Sequence, residues 1–272
     1  MAQTGALLMF AFIFVQARAA PNVQLKSWNI LRSGIASSDP VHRAEALTAI
    51  SSIGATRRSL SMVEDGLTDK DPIVRQTAAT ALGEMKSRRA IPALEEALSD
   101  KDPEVRVAAA RSLWELGDHK CRGVLMDMLA GREKTSQPFV KQEVGLAVRE
   151  LHQPGTIARI GITQGAEAVL GPYGMGIGFA EEILKDDGAV GRSLAAKLLG
   201  SDSDPKSFDA LEQALLDKNS AVRAVAARSL GERGRRSAIP DLEPLLDSTS
   251  AGPRFMAAAA IIRLSLRHRE RR

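Results

Sequence analysis

Apolar positions in this chain fall into short helical runs separated by polar turns, and the runs come in pairs. Between Asp71 and Lys101, Val74, Ala78, Ala81 and Leu82 recur three and four residues apart and share one helical face. Asp71 can cap that helix, and Pro72 suits its first position, where a missing N–H leaves no bond unmade. Gly83 reads as the left-handed residue that ends it. A basic turn follows, Lys86-Ser87-Arg88-Arg89, and then Ile91, Leu94 and Leu98 predict a second helix, with Pro92 near its start. Glu95 and Glu96 point away from that apolar face, and Ser99-Asp100-Lys101 closes the unit. The unit is a helical hairpin.

The same phrase returns along the chain. Asp71-Pro72-Ile73-Val74-Arg75 is matched 31 residues later by Asp102-Pro103-Glu104-Val105-Arg106, and again by Ser220-Ala221-Val222-Arg223. Each is followed by paired alanines: Ala78-Ala79, Ala108-Ala109 and Ala226-Ala227. Weaker copies begin at Asp39, Phe139, Ala189 and Pro253, which makes about seven hairpins, the last incomplete. A fixed period of this length predicts an all-α solenoid, in which each unit buries its apolar face only against its neighbours. The alanines keep the first helices thin, so that neighbours approach at the short end of the usual 8–10 Å. Residues 22–36, with Leu25, Trp28, Leu31 and Ile35, predict a helix that caps the first repeat, within an N-terminal segment 21–38.

The pattern D-x-x-V-R-x-x-A-A-x-A-L-G, followed by A-I-P-x-L-x-x-x-L-x-D, resembles the short HEAT-like repeats of the phycobilisome-lyase type over about residues 39–262. The resemblance implies a superhelix in which repeated arginines and aspartates form a ladder between adjacent repeats. Here that role would fall to Arg75, Arg106 and Arg223, with junction aspartates including Asp71 and Asp102. It also implies that the second helices line the concave surface, which Glu95 and Glu96 would make acidic.

Composition agrees with stacked helices. Hydrophobic residues make up 44% of the 272 and aromatics only 4%, which suits alanine-based packing and disfavours a β-sandwich or an aromatic-lined cleft. The formal charge of +4 is local: residues 263–272 carry five arginines and one glutamate, and everything before them is neutral. No global attraction to nucleic acid follows.

The first 20 residues read as an export signal. Ala6 to Val15 is an unbroken apolar run, too short to span a bilayer, and Ala17-Arg18-Ala19 offers a cleavage site. The expectation is export to the periplasm or outside the cell, the alternative an anchor left uncleaved. Cys121 is the single cysteine, so no disulfide within the chain is possible, and it reads as a small apolar residue.

No catalytic, cofactor or metal site is expected. None of His42, His119, His152 and His268 has a second histidine or a cysteine three or four residues away, and the chain contains no His-Glu dipeptide. Residues 152–180 break the period with seven glycines and read as an insertion, with Tyr173, the single tyrosine, as a contact residue. Charge placement supplies the other candidates. Arg57-Arg58, Arg88-Arg89 and Arg235-Arg236 fall in the turns inside the hairpins, which a solenoid aligns into a basic ridge, while Glu95 and Glu96 mark the opposite sign. Helix dipoles favour the same distribution. These residues predict a scaffold for a protein or peptide partner. A bilin lyase-like protein and a nucleic-acid-binding repeat protein are the alternatives.

Overall fold

Side-chain caps start most of the first helices. Asp39, Asp71 and Asp102 accept from the backbone N–H two residues on, and a proline holds the first position after each; Asp204, followed by Pro205, does the same for a second helix. Asn219 does the same for Ala221. In the computed structural model, residues 23–129, 186 and 188–269 are described. They form α1 (residues 23–35), α2 (Pro40–Ile53), α3 (Arg57–Asp65), α4 (Pro72–Glu84), α5 (Ile91–Ala97), α6 (Pro103–Glu115) and α7 (Arg122–Leu129). After residue 188 come α8 (Ala189–Gly200), α9 (Pro205–Ala214), α10 (Ser220–Arg233), α11 (Ile239–Leu242) and α12 (Ala251–Arg269). No strand occurs among the described residues. The degenerate copy at Phe139 and the glycine-rich insertion with Tyr173 lie outside them.

First helices pack on first helices in the order α6, α4, α2, α12, α10, α8. The order in space is therefore not the order in the chain. α12, the last helix, lies directly between α10 and α2, and the two halves of the chain form one stack. Arg263 on α12 donates to the Ser52 carbonyl at the end of α2 at 2.6 Å, so the two helices run parallel.

α1 completes this arrangement. The sequence suggests a cap over a terminal face, but no terminal face exists there. Among the described residues no second helix follows α12, and α1 lies in that place. Lys26 on α1 bonds Asp247, at the end of the segment before α12, at 2.7 Å. On its other side the Arg58 guanidinium of α3 lies 3.9 Å from the centre of the Trp28 ring. Trp28 and Leu31 are buried, and a Cβ on Gly34 would lie 2.7 Å from Ala46 and 2.8 Å from the Phe255 ring. The two chain ends thus share one composite hairpin, α12 with α1.

Close approach between first helices rests on small residues at one repeat position. Gly83 does not take the left-handed ending expected of it; it lies inside α4, where a Cβ would meet Ser112 Oγ of α6 at 2.5 Å. Gly200 stands likewise against Ser229, and Gly231 against Ala260. The left-handed residue comes three positions later: Lys86 (φ 50°), with Gly54, Gly117 and Gly234 at the matching places. Among the described residues second helices have no comparable contact with one another. A stack that is tight along one layer and loose along the other curls toward the tight layer.

Candidate functional site

The arginine ladder fixes the spacing of the stack. Arg43 grips Asp69 through Nε and Nη2, both at 2.8 Å; Arg75 grips Asp100 at 2.7 and 2.9 Å; Arg192 grips Asp217 at 2.7 and 3.0 Å. The free Nη1 turns back to the carbonyl six residues earlier, from Arg43 to Ser37, Arg75 to Asp69, Arg106 to Asp100, Arg223 to Asp217 and Arg254 to Ser248. Asp71 and Asp102 are not the rungs; they cap α4 and α6, and the pairing carboxylates stand two residues before them. Hydrogen bonding to Arg43 holds the Asp69 carboxyl below its ordinary range. Burial opposes ionisation of Asp100, but the Arg75 fork and the Asp102 N–H outweigh it and its pKa is lowered too.

Two rungs differ. The position held by Asp69, Asp100 and Asp217 is Ser248 at the junction before α12 and Ser37 at the junction before α2. Ser37 Oγ accepts the Asp39 N–H at 3.2 Å, as Asp69 and Asp100 accept those of Asp71 and Asp102. A serine can make that turn but cannot take a guanidinium fork. Among the described residues, Arg223 and Arg254 have no carboxylate partner for the fork. α12 is held instead by apolar burial: every residue from Phe255 to Ile262 is buried.

This order in space brings the candidate arginines together. Arg57, Arg58, Arg88, Arg89, Arg235 and Arg236 are all exposed. In the chain Arg89 and Arg235 are 146 positions apart. In the stack their turns follow one another, Arg88-Arg89, Arg57-Arg58, the end of α12, then Arg235-Arg236. With first helices 8–10 Å apart, Arg57 and Arg236 are roughly 20 Å from each other along the edge. Arg58 stacks on Trp28, and Arg235 lies 5.2 Å from the Phe208 ring centre, so both are held over aromatic faces. The edge stops at the turn after α8, which is Ser201-Asp202-Ser203-Asp204.

Inside the curve, a cavity of about 550 Å³ is lined by Gly83, Glu84, Lys86, Arg88, Glu115, Leu116 and Arg228. It lies between the ends of α4 and α6 on one arm and α10 on the other. First helices and their turns line it, and no residue of a second helix does. The tight alanine and glycine layer sets this direction of curl. Glu95 and Glu96 stand on α5, away from the cavity; Glu95 accepts from Lys120 of the next repeat at 2.7 Å, and Glu96 is exposed.

The remaining chemical candidates are quiet. Cys121 is buried, and burial pushes its thiol upward, away from the reactive thiolate. His42 lies 3.8 Å from Asp39, and His119 packs on Trp114. Among the described residues no three histidines, cysteines or carboxylates are grouped to hold a metal. No described helix is long and apolar enough to cross a membrane. One residue escaped sequence reading: Glu45 on α2, 6% exposed, with Oε2 buried and unbonded. Its signal was a carboxylate on the inward side of a first helix, where the other copies carry Thr77, Ala108 and Val225.

The chain is similar to several solved structures. Human deoxyhypusine hydroxylase in complex with glycerol is 20% identical, covering 90% of this chain and 98% of that one at a TM-score of 0.34. The complex of CpcE and CpcF of phycocyanin lyase from Nostoc sp. is also 20% identical, covering 85% and 93% at a TM-score of 0.32. A designed armadillo repeat protein is 15% identical, covering 87% and 98% at 0.26. No curated protein matches the sequence. The HEAT repeats profile matches residues 28–102 and 178–262, and a single HEAT repeat profile matches 90–119. Paired helices on a shared register, a ladder of arginine forks and a profile match over more than half of the chain make this protein a member of the HEAT repeat family.

Proposed function

We propose that this protein is a non-catalytic binding scaffold that takes an acidic segment of a protein partner along its basic edge. The observation that carries this reading is the order of the stack, which turns two distant arginine groups into one row beside the cavity. Rigid hairpins present such a row without much ordering cost on binding. Lys86 and Arg88 extend the positive row into the cavity mouth, where Glu84 and Glu115 would set the partner's register. We propose further that the protein is exported, the signal being removed after Ala19.

Affinity capture from the native envelope or culture fluid tests the scaffold. The bait is residues 20–272, run beside a variant with Arg57, Arg58, Arg88, Arg89, Arg235 and Arg236 changed to Glu. A partner with an acidic segment should bind the wild type, release as salt rises, and be lost from the folded variant. Equal capture by both baits would refute the basic edge. An intact Met1 on protein recovered outside the cell membrane would refute cleavage.

A further inference from the structure

Glu45 lies on the side of α2 that faces α12. The residue is 6% exposed, and one carboxyl oxygen, Oε2, has neither solvent nor a hydrogen-bond donor. Two charges act on it, Asp39 from the cap of its own helix and Arg254 from α12. The other charged groups around α2 are engaged elsewhere. Arg43 is committed to Asp69, and His42 sits outward beside Asp39. Glu84 of α4 accepts from Ser51, and Arg263 of α12 bonds Ser52, both at the far end of the helix. α1 and α3 present no charge to it; Lys26 and Arg58 face Asp247 and Trp28.

Among the described residues this carboxyl stands where the stack is joined by non-consecutive parts of the chain, and where the rung is a serine, Ser37, in place of an aspartate. We propose that the seam between α12 and α2 is a proton-operated latch, closed while Glu45 carries its proton and loosened when Glu45 ionises. Opening would part α12 from α2 and α1, and with them Arg235-Arg236 from Arg57-Arg58. The latch stands on the seam alone and does not depend on what the basic edge binds.

The direction follows from burial. Burial raises the Glu45 pKa from an ordinary 4.5 to about 7, with Asp39 adding to the rise and Arg254 opposing it. An acid raised in the closed state binds its proton more tightly there. Its contribution to closure is complete below the ordinary value and is lost as pH climbs through 7.

Hydrogen exchange of the full chain, followed by mass spectrometry at pH 5.5 and 8.5 and corrected for intrinsic rates, reads the latch. Wild-type peptides from α1 and α12 should lose protection by about tenfold or more between the two conditions. Peptides from α4 should change little, and Glu45→Gln should abolish the difference. Loss of the same size in Glu45→Gln, no loss in the wild type, or equal loss in α4 would each overturn the proposal. Should Glu45→Gln not fold, a carboxyl-carbon NMR titration of wild-type Glu45 decides: a midpoint near 7 supports the latch, and one near 4.5 overturns it.

Discussion

Substituting alanine for glycine should have opposite effects at two helical positions, and the difference isolates the packing on which the stack depends. Gly231 lies in α10, and Gly191 in α8. Within a helix, alanine is favoured over glycine by about 1 kcal/mol. At Gly191 a new Cβ meets nothing within 4 Å, so that preference should appear undiminished, as a gain of about 0.5–1 kcal/mol. At Gly231 the Cβ would stand 2.8 Å from Ala260 Cβ and 2.9 Å from Ala260 Cα. Ordinary contact between carbons is about 3.5–4.0 Å, so α10 and α12 would have to separate by nearly 1 Å. α12 cannot easily retreat, because α2 packs on its other side and Arg263 ties it to Ser52. Overpacking of this kind costs about 1–3 kcal/mol, which exceeds the helical gain. With roughly 2–4 °C per kcal/mol for a chain of this size, Gly191→Ala should raise the melting temperature slightly. On the same scale Gly231→Ala, with a net cost of up to about 2 kcal/mol, should lower it by as much as about 8 °C. Thermal unfolding by circular dichroism reads both. A Gly231→Ala protein that melts at or above the wild type would refute close helix packing as the basis of the stack.

Other expectations concern the ladder. Arg75→Ala removes the fork from Asp100 and a donor from two carbonyls in a nearly buried setting, and should cost about 3–5 kcal/mol in denaturant unfolding; a cost below 1 kcal/mol would make the rung ornamental. The pKa values of Asp69 and Asp100 are lowered in the fold, so their stabilisation is complete above the ordinary carboxylate range and is lost as pH falls through the folded values. Glu45 works the other way between 7 and 4.5, so urea midpoints should peak in mildly acidic solution and fall on both sides; a flat profile from pH 3 to 8 would refute both assignments. Ser37→Asp should supply Arg254 with the missing rung and stabilise the seam by about 1 kcal/mol, less at high salt, as read from the urea midpoint.

Local structure was legible in the sequence wherever one repeat specifies itself. Caps at Asp71 and Asp102, prolines at the first helical position and apolar spacing at Val74, Ala78 and Leu82 give hairpins without reference to anything distant. The arginines of the ladder could be named for the same reason, since they recur at a fixed place. Their partners could not be separated so easily, because each junction carries two aspartates two residues apart. Backbone geometry gives the later one to the cap and the earlier one to the neighbouring repeat. Gly83 shows a similar limit: a glycine near a helix end suits a left-handed turn or a close neighbour, and the neighbour Ser112 lies in another repeat.

By itself, then, the sequence determined an all-α array, its period and the residues each hairpin buries, because these depend on contacts within one or two repeats. Tertiary structure decided that the array meets itself at its ends, that α1 serves α12, and that first helices face the cavity. Those outcomes come from curvature added up over several thin-layered repeats, which no single repeat carries. Traces were present in the serines at 37 and 248 and in an α12 that is apolar on every side from Phe255 to Ile262. A helix buried on all faces needs neighbours on both sides, and only the folded chain supplies the second one from its own beginning.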